Sequence, residues 1–278
     1  MTAGEARYLE DLEARDGAAD LDRHVLTRRE TILQELTPLR SVRRVDAETF
    51  RRNLARHTPE PGLDPLMLWL LATAKSNQAE RFAVGLAELY GKLETDDPIR
   101  VHITLQEVYH TRLLAGVVAL FGLAVRPKPP AWSTRVFVKL LLALPERAQL
   151  PLTGAAEMAG CVLFRALGDR GVALVADEPA IAARVRFHYD QILTDEIGHV
   201  HYIELRLGRT GRAIMRTLYR VLGPHFAASM PELAALFGRS ELRRQFGAAF
   251  PVVRKEEHDT VLDDVPEELV LAARTRRG

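Results

Sequence analysis

Cysteine is the scarcest chemistry in this chain: Cys161 is the only one among 278 residues. A single thiol supports neither an intramolecular disulfide framework nor a thiolate metal cluster, and it fits a reducing, cytoplasmic setting. Net charge is almost missing too, +1 from 38 basic and 37 acidic side chains. That balance removes the electrostatic reason to expect nucleic acid or an anionic membrane as a partner. Arginine is dense in both terminal segments but interleaved with Glu and Asp, a pattern read as solvated helix faces. No apolar run, the stretch from Leu113 to Val125 included, reaches the roughly 20 residues of a membrane span. The N-terminal MTAGEARYLEDLEARDGAAD is acidic and polar, unlike a secretory signal. What is present, 47% hydrophobic and 27% charged residues, is ordinary for a soluble globular chain long enough to bury a sizeable core.

Strand-type alternation is nearly absent, and apolar residues recur at helical spacing almost throughout, so the expected class is all-α. Residues 1–57 suggest two or three short charged helices, closed by the break His57-Thr58-Pro59-Glu60-Pro61-Gly62. Asp64-Pro65 pairs an N-cap with a first-turn proline and opens a long helix to about Gly91. Asp97-Pro98 repeats that signature and opens a second, ending near Gly122. The proline-rich Arg126-Pro127-Lys128-Pro129-Pro130 is a crossover, followed by a short apolar helix from about Trp132 to Leu144. A third main helix is expected from about Leu152 to Leu167, stopped by Gly168. Asp177-Glu178-Pro179 starts a fourth that reaches Gly208, and another helix runs from about Arg209 to Leu222 before a mixed tail. The chain reads as one helical domain, 1–278, with a bundle core at about 64–208 and additional N- and C-terminal helices. Short connections make neighbouring helices antiparallel. Glu80 and Glu107 then stand at similar heights about their turn, whereas Glu157 and Glu196 match less well about a longer loop.

Two ExxH motifs occur, Glu107-Val108-Tyr109-His110 and Glu196-Ile197-Gly198-His199. On an α-helix, residues i and i+3 share a face about 4.5 Å apart along the axis, so both side chains reach one metal ion. Chance alone supplies about 0.7 such pairs in a chain of this Glu and His content, so the weight rests on where they stand. Two further helices each carry a glutamate amid apolar residues, Glu80 in QAERFAVGLAEL and Glu157 in TGAAEMAGCVLF. Unpaired carboxylates inside apolar helices are costly unless a metal or partner compensates them. The order Glu, ExxH, Glu, ExxH is a ligand set for two iron or manganese ions, and four carboxylates with two neutral imidazoles nearly neutralise two divalent cations.

In these motifs the chain resembles the ferritin-like di-iron carboxylate proteins over about residues 64–208. That group includes ribonucleotide reductase small subunits, bacterial multicomponent monooxygenases, acyl-carrier-protein desaturases, aldehyde-deformylating oxygenases and arylamine N-oxygenases. The resemblance implies a ferritin-like four-helix bundle with Glu80, Glu107, His110, Glu157, Glu196 and His199 as ligands. Asp195 before Glu196 matches the DExxH form, in which the aspartate holds a ligand histidine, here His110, by a hydrogen bond. Gln106 stands where a second such aspartate is often found. Arylamine N-oxygenases carry an extra histidine four residues before the last ExxH glutamate; here that residue is Ile192.

The implied activity is an O2-dependent oxidase or oxygenase reaction on a small organic substrate: hydroxylation, N-oxygenation, desaturation or C–C cleavage. Substrate would sit beside Glu157 and the third main helix, with Glu157 and Glu196 as the catalytic carboxylates. The expected cofactor is two Fe ions, with Mn or a mixed Mn/Fe pair as the other possibility. Electrons would come from an external reductase or ferredoxin, since no flavin or cysteine-cluster motif is present, and a homodimer is the oligomer the resemblance suggests. The competing readings are a ferroxidase or iron-handling protein, for which about 150 residues suffice, and a non-catalytic helical scaffold with structural carboxylates.

Other residues have smaller claims. His188 lies eleven residues before His199, about 16 Å away by helix rise, which suits a pocket, supporting or surface role rather than ligation. His201 projects away from His199. Cys161, one turn after Glu157, is a cavity-lining or small core residue. Tyr109 and Tyr202 flank the motifs, where they pack, relay electrons or hydrogen-bond the site, and Tyr202 is a candidate pocket residue. Trp69, Thr73 and Asn77 lead to Glu80 along one stripe, a candidate substrate channel.

Overall fold

The computed structural model describes residues 1–89, 96–126, 136, 139, 143–228 and 230–247. Helices make up 76% of it, which places the chain in the all-α class. Three short helices come first: α1 (Ala3–Asp16), α2 (Thr27–Glu35) and α3 (Ala47–Ala55). Between α1 and α2 lies a two-residue antiparallel pairing, β1 (Ala19–Asp20) with β2 (Val25–Leu26), which the sequence pattern did not announce. Four long helices follow, α4 (Pro65–Leu89), α5 (Pro98–Ala119), α6 (Glu146–Leu174) and α7 (Pro179–Arg206). Then come α8 (Arg209–Ala228), α9 (Pro231–Phe237) and α10 (Arg239–Gly247). The apolar helix expected at Trp132–Leu144 and the tail beyond 247 lie outside the described residues, apart from isolated positions.

The long helices begin where local chemistry says they should. The Asp64 carboxylate accepts from the Met67 N–H at 2.9 Å, and Asp97 accepts from the Ile99 N–H at 3.1 Å, each just before a proline. Such caps satisfy otherwise orphaned first-turn N–H groups and contribute about 1 kcal/mol each. Glu178 precedes Pro179 but caps nothing. Its carboxylate instead accepts from Ser41 Oγ at 2.7 Å and the Val42 N–H at 2.9 Å, tying the linker before α3 to the start of α7.

The four long helices enclose one core: α4 packs on α5, α5 on α7, α7 on α6 and α6 on α4. Leu70, Leu71, Leu114, Val117, Leu167, Val185 and Ile192 are completely buried there. Each contributes about 1.5–3 kcal/mol by leaving water. α1, β1 and β2 lie against α5, α8 against α6, and α9 against α4. Among the described residues, only α6 is long and apolar enough to cross a membrane by length and composition, and 56% of its most apolar window is buried within the fold.

Gly168 is not the helix stop that its residue type suggested, because α6 continues to Leu174. Its role is close approach: a Cβ there would lie 2.9 Å from the Cβ of Tyr189 on α7. Gly171 is tighter still, since a Cβ would stand 2.3 Å from Cζ2 of the fully buried Trp69. Trp69 also donates its indole N–H to the Leu167 carbonyl at 2.8 Å, so the ring cannot easily swing aside. Gly171→Ala is therefore expected to cost about 1–3 kcal/mol by overpacking, read as a fall in thermal midpoint; an unchanged midpoint would refute this packing. Extending α6 also shortens the α6–α7 connection to residues 175–178. The chain midpoint between Glu157 and Glu196 falls inside that connection, and the midpoint between Glu80 and Glu107 falls between α4 and α5. Both glutamate pairs are thus level about their turns, which removes the offset expected for the second.

Candidate metal centre

Each of the four long helices delivers one glutamate to a common point inside the core, and α5 and α7 each add a histidine one turn further on. Glu80, Glu107 and His110 bring ligand-type atoms within 4.8 Å of one another, and so do Glu107, Glu157, Glu196 and His199. Glu107 belongs to both groups. Its Oε2 lies 3.4 Å from His110 Nδ1 and its Oε1 lies 3.2 Å from His199 Nδ1. Glu80 approaches His110 Nδ1 at 4.0 Å and Glu196 at 3.4 Å, while Glu157 lies 3.5 Å from His199 Nδ1. The two imidazole centroids are 5.9 Å apart. Among the described residues, the members of the two groups are Glu80, Glu107, His110, Glu157, Glu196 and His199.

The outer nitrogen of each imidazole is occupied. His110 Nε2 bonds to Asp195 Oδ2 at 3.1 Å, across from α5 to α7, as the DExxH resemblance implied. His199 Nε2 bonds to Gln106 Oε1 at 2.9 Å, and the Gln106 amide N–H donates to Asp16 Oδ2 at 2.7 Å. The glutamine thus passes the influence of a carboxylate on to His199. With Nε2 of each ring turned outward to Asp195 or Gln106, Nδ1 of each ring faces the carboxylates. His110 Nδ1 and His199 Nδ1 are buried and have no hydrogen-bond partner among the described residues. Buried polar atoms of this kind are rare without an occupant to satisfy them.

Burial and mutual charge set the ionisation of the cluster. Burial, reinforced by Glu107, pushes Glu80 well above the carboxylate range. Burial with Glu157 and Glu107 does the same to Glu196. For Glu107 burial acts upward, but His110 and His199 outweigh it and hold the group well below its ordinary value. Burial opposes protonation of His110, yet Glu107 and Asp195 raise it to about 9; His199, against the same burial, is raised to about 10 by Glu107 and Glu157.

Behind the histidines lies a buried ion network that sequence reading missed. Asp195 accepts from Arg15 at 2.7 Å and from Arg29 at 2.5 and 2.8 Å. Asp16 accepts from Arg15 at 2.8 Å and from Arg29 at 2.8 Å. All four residues are at most 7% exposed. Burial acts to raise Asp195, but Arg29 and Arg15 together hold it well below the usual range, ionised and ready to accept from His110. The Arg-rich N-terminal segment is therefore not wholly a solvated face: α1 and α2 each insert one arginine beneath the centre.

Gly160 on α6 was also missed. A Cβ there would lie 2.6 Å from Glu196 Oε2, so the absent side chain leaves the space that the carboxylate occupies. Gly160→Ala should displace that flexible carboxylate rather than the backbone. The expected result is a 10–100-fold loss of metal affinity, roughly the size seen when a ligand is mispositioned, with little change in thermal midpoint. Unchanged affinity would show that Glu196 does not need this position.

The remaining candidates sit elsewhere. Trp69, Thr73 and Asn77 do not form a channel: all three are fully buried and hydrogen-bonded, Thr73 to Tyr189 Oη at 2.7 Å and Asn77 to the Thr111 carbonyl. Tyr109 donates to Glu30 at 2.8 Å, away from the ligands. Tyr202 donates to Asp97 at 3.2 Å and stacks on Tyr8, so it lines no pocket at the centre. Cys161 is buried among core residues. His201 is exposed, and His188 borders a different cavity.

No protein-family profile matches this chain, and comparison with curated proteins and with solved structures finds no match. Its class is therefore defined by its own fold and site: an all-α protein with a buried cluster of acidic and histidine groups that could hold metal.

Proposed function

We propose that the four long helices form a ferritin-like bundle and that the chain is an O2-dependent non-haem di-iron oxidase or oxygenase acting on a small organic substrate. The observation that carries this reading is the pair of buried Nδ1 atoms, one per ExxH motif, that make no hydrogen bond among the described residues and face four converging glutamates. Glu80, Glu107 and His110 would hold one ion, and Glu107, Glu157, Glu196 and His199 the other. A bound ferrous pair supplies electrons to dioxygen, and manganese or a mixed pair would suit the same hard donors.

The chain's own residues do the rest. Asp195 and Gln106 fix the tautomer and orientation of the two imidazoles, and the core leucines keep bulk water away. Glu80, Glu107 and Glu157 keep 18–20% of their side-chain surface open, against 4% for Glu196. Yet burial is the strongest influence on the ionisation of Glu80 and Glu107. Surface left open at three of the four carboxylates is the access a small substrate needs, and it favours an oxygenase over a closed ferroxidase centre. Electrons for turnover would come from a separate reductase or ferredoxin.

The test is oxygen uptake by iron-loaded protein with a chemical reductant and a panel of amines, aldehydes and aromatic acids. One substrate class is expected to raise the rate at least tenfold over reductant alone, and Glu107→Ala to abolish the increase. Uptake that follows added ferrous iron and ignores every organic compound would instead identify a ferroxidase.

A further inference from the structure

A second polar cavity lies apart from the metal centre, where α5 and α7 meet the segment that follows α2. It measures about 330 Å³, at the small end of the roughly 300–1,000 Å³ range of organic-ligand sites. Its walls are polar and apolar in nearly equal measure, with Leu36, Leu39, Leu113 and Leu120 in the apolar part. Into it face two side chains from one stripe of α7, Arg184 and His188, which are 5% and 6% exposed.

Neither side chain is satisfied. Arg184 donates once, to the Thr37 carbonyl at 3.0 Å, and its Nε has no partner. Among the described residues it makes no ion pair, and burial alone acts on its ionisation, downward. His188 Nδ1 is likewise without a partner, and so is the hydroxyl of Thr37 on the facing wall. Arg112 at the rim is already neutralised by Glu30, at 2.6 Å. Gly116 borders the cavity on the α5 side, close to the His188 ring.

A buried guanidinium without a counter-charge is costly, and three orphaned polar atoms around one cavity compound the cost. The group that relieves all of them is a carboxylate: two oxygens for the guanidinium fork, with acceptor capacity left for a hydroxyl and an imidazole N–H. One unpaired cation suits a monoanion better than a phosphate dianion, and the leucine walls suit an apolar body. We propose that this cavity binds a small organic carboxylate, its head on Arg184, Thr37 and His188 and its body against the leucines. The inference is independent of the metal reading, and its test uses no metal.

Phenylacetate is the probe, titrated calorimetrically into the whole chain at neutral pH, with phenylacetamide and inorganic phosphate as comparators. Saturable one-to-one binding of phenylacetate is expected, with both comparators at least tenfold weaker. Arg184→Met should weaken phenylacetate at least tenfold. Because that change also alters a buried charge, Leu36→Trp provides a second variant that fills the cavity from its partly exposed rim and should weaken binding as much. The proposal is overturned if phenylacetate shows no saturable binding, if phenylacetamide or phosphate binds as tightly, or if Leu36→Trp leaves the affinity unchanged.

Discussion

Replacing Glu107 by alanine is expected to empty both metal positions at once, from about two ions per chain to fewer than about 0.2. Glu107 is the only residue common to both ligand groups, with one oxygen near each imidazole. Its removal leaves Glu80 and His110 at one position and Glu157, Glu196 and His199 at the other, and takes away the carboxylate that joins the two groups. It also removes the carboxylate that contributes most to raising His110. Glu80→Ala provides the contrast. It touches one group alone, so about one ion should remain, held by Glu107, Glu157, Glu196 and His199. Elemental analysis of the two variants loaded in parallel separates the cases. Equal metal content in both would mean that Glu107 does not bridge.

The second large effect is expected at Arg29, far from the ligands in sequence. Arg29→Met leaves Asp195 and Asp16 with Arg15 as their only buried arginine partner among the described residues. Breaking a buried ion pair by removing one member costs about 3–5 kcal/mol, because the surviving charge stays desolvated. For a chain of this size that corresponds to a fall in thermal midpoint of about 10 °C. Metal affinity should fall with it, since Asp195 is what holds His110 in place. Combining Arg29→Met with Asp195→Asn should cost less than the sum of the two single changes, as expected for groups in one network. A midpoint within about 2 °C of the parent would show that the network contributes little to stability.

What the sequence made legible was chemistry confined to a few neighbouring residues. Asp64-Pro65 and Asp97-Pro98 announce helix starts because the cap and the proline act within one turn. The ExxH spacing brings Glu107 with His110, and Glu196 with His199, because i and i+3 share a face whatever the rest of the chain does. Asp195 could be paired with His110 only through the resemblance, and the structure bears out that bond.

What stayed hidden depends on partners far along the chain. Arg15 and Arg29 look like their exposed neighbours Arg23 and Arg28, and only contact with a residue more than 160 positions away distinguishes them. Asp195 with no arginine or lysine within four residues of it on α7 was the one available hint that an arginine must come from elsewhere. Gly168 and Gly171 resemble helix stops until Tyr189 and Trp69 are seen pressed against them. The same misreading lengthened the expected loop and put Glu157 out of step with Glu196. Gln106 looked like a lost aspartate, whereas it relays Asp16 to His199.

The most direct test of the central claim is the metal content of protein produced with iron and loaded anaerobically with ferrous ion. About two ions per chain, lost in Glu107→Ala, is the result expected of six ligands around a shared carboxylate. No bound iron or manganese under any loading condition would contradict it and leave the buried glutamates as a structural feature of a helical scaffold.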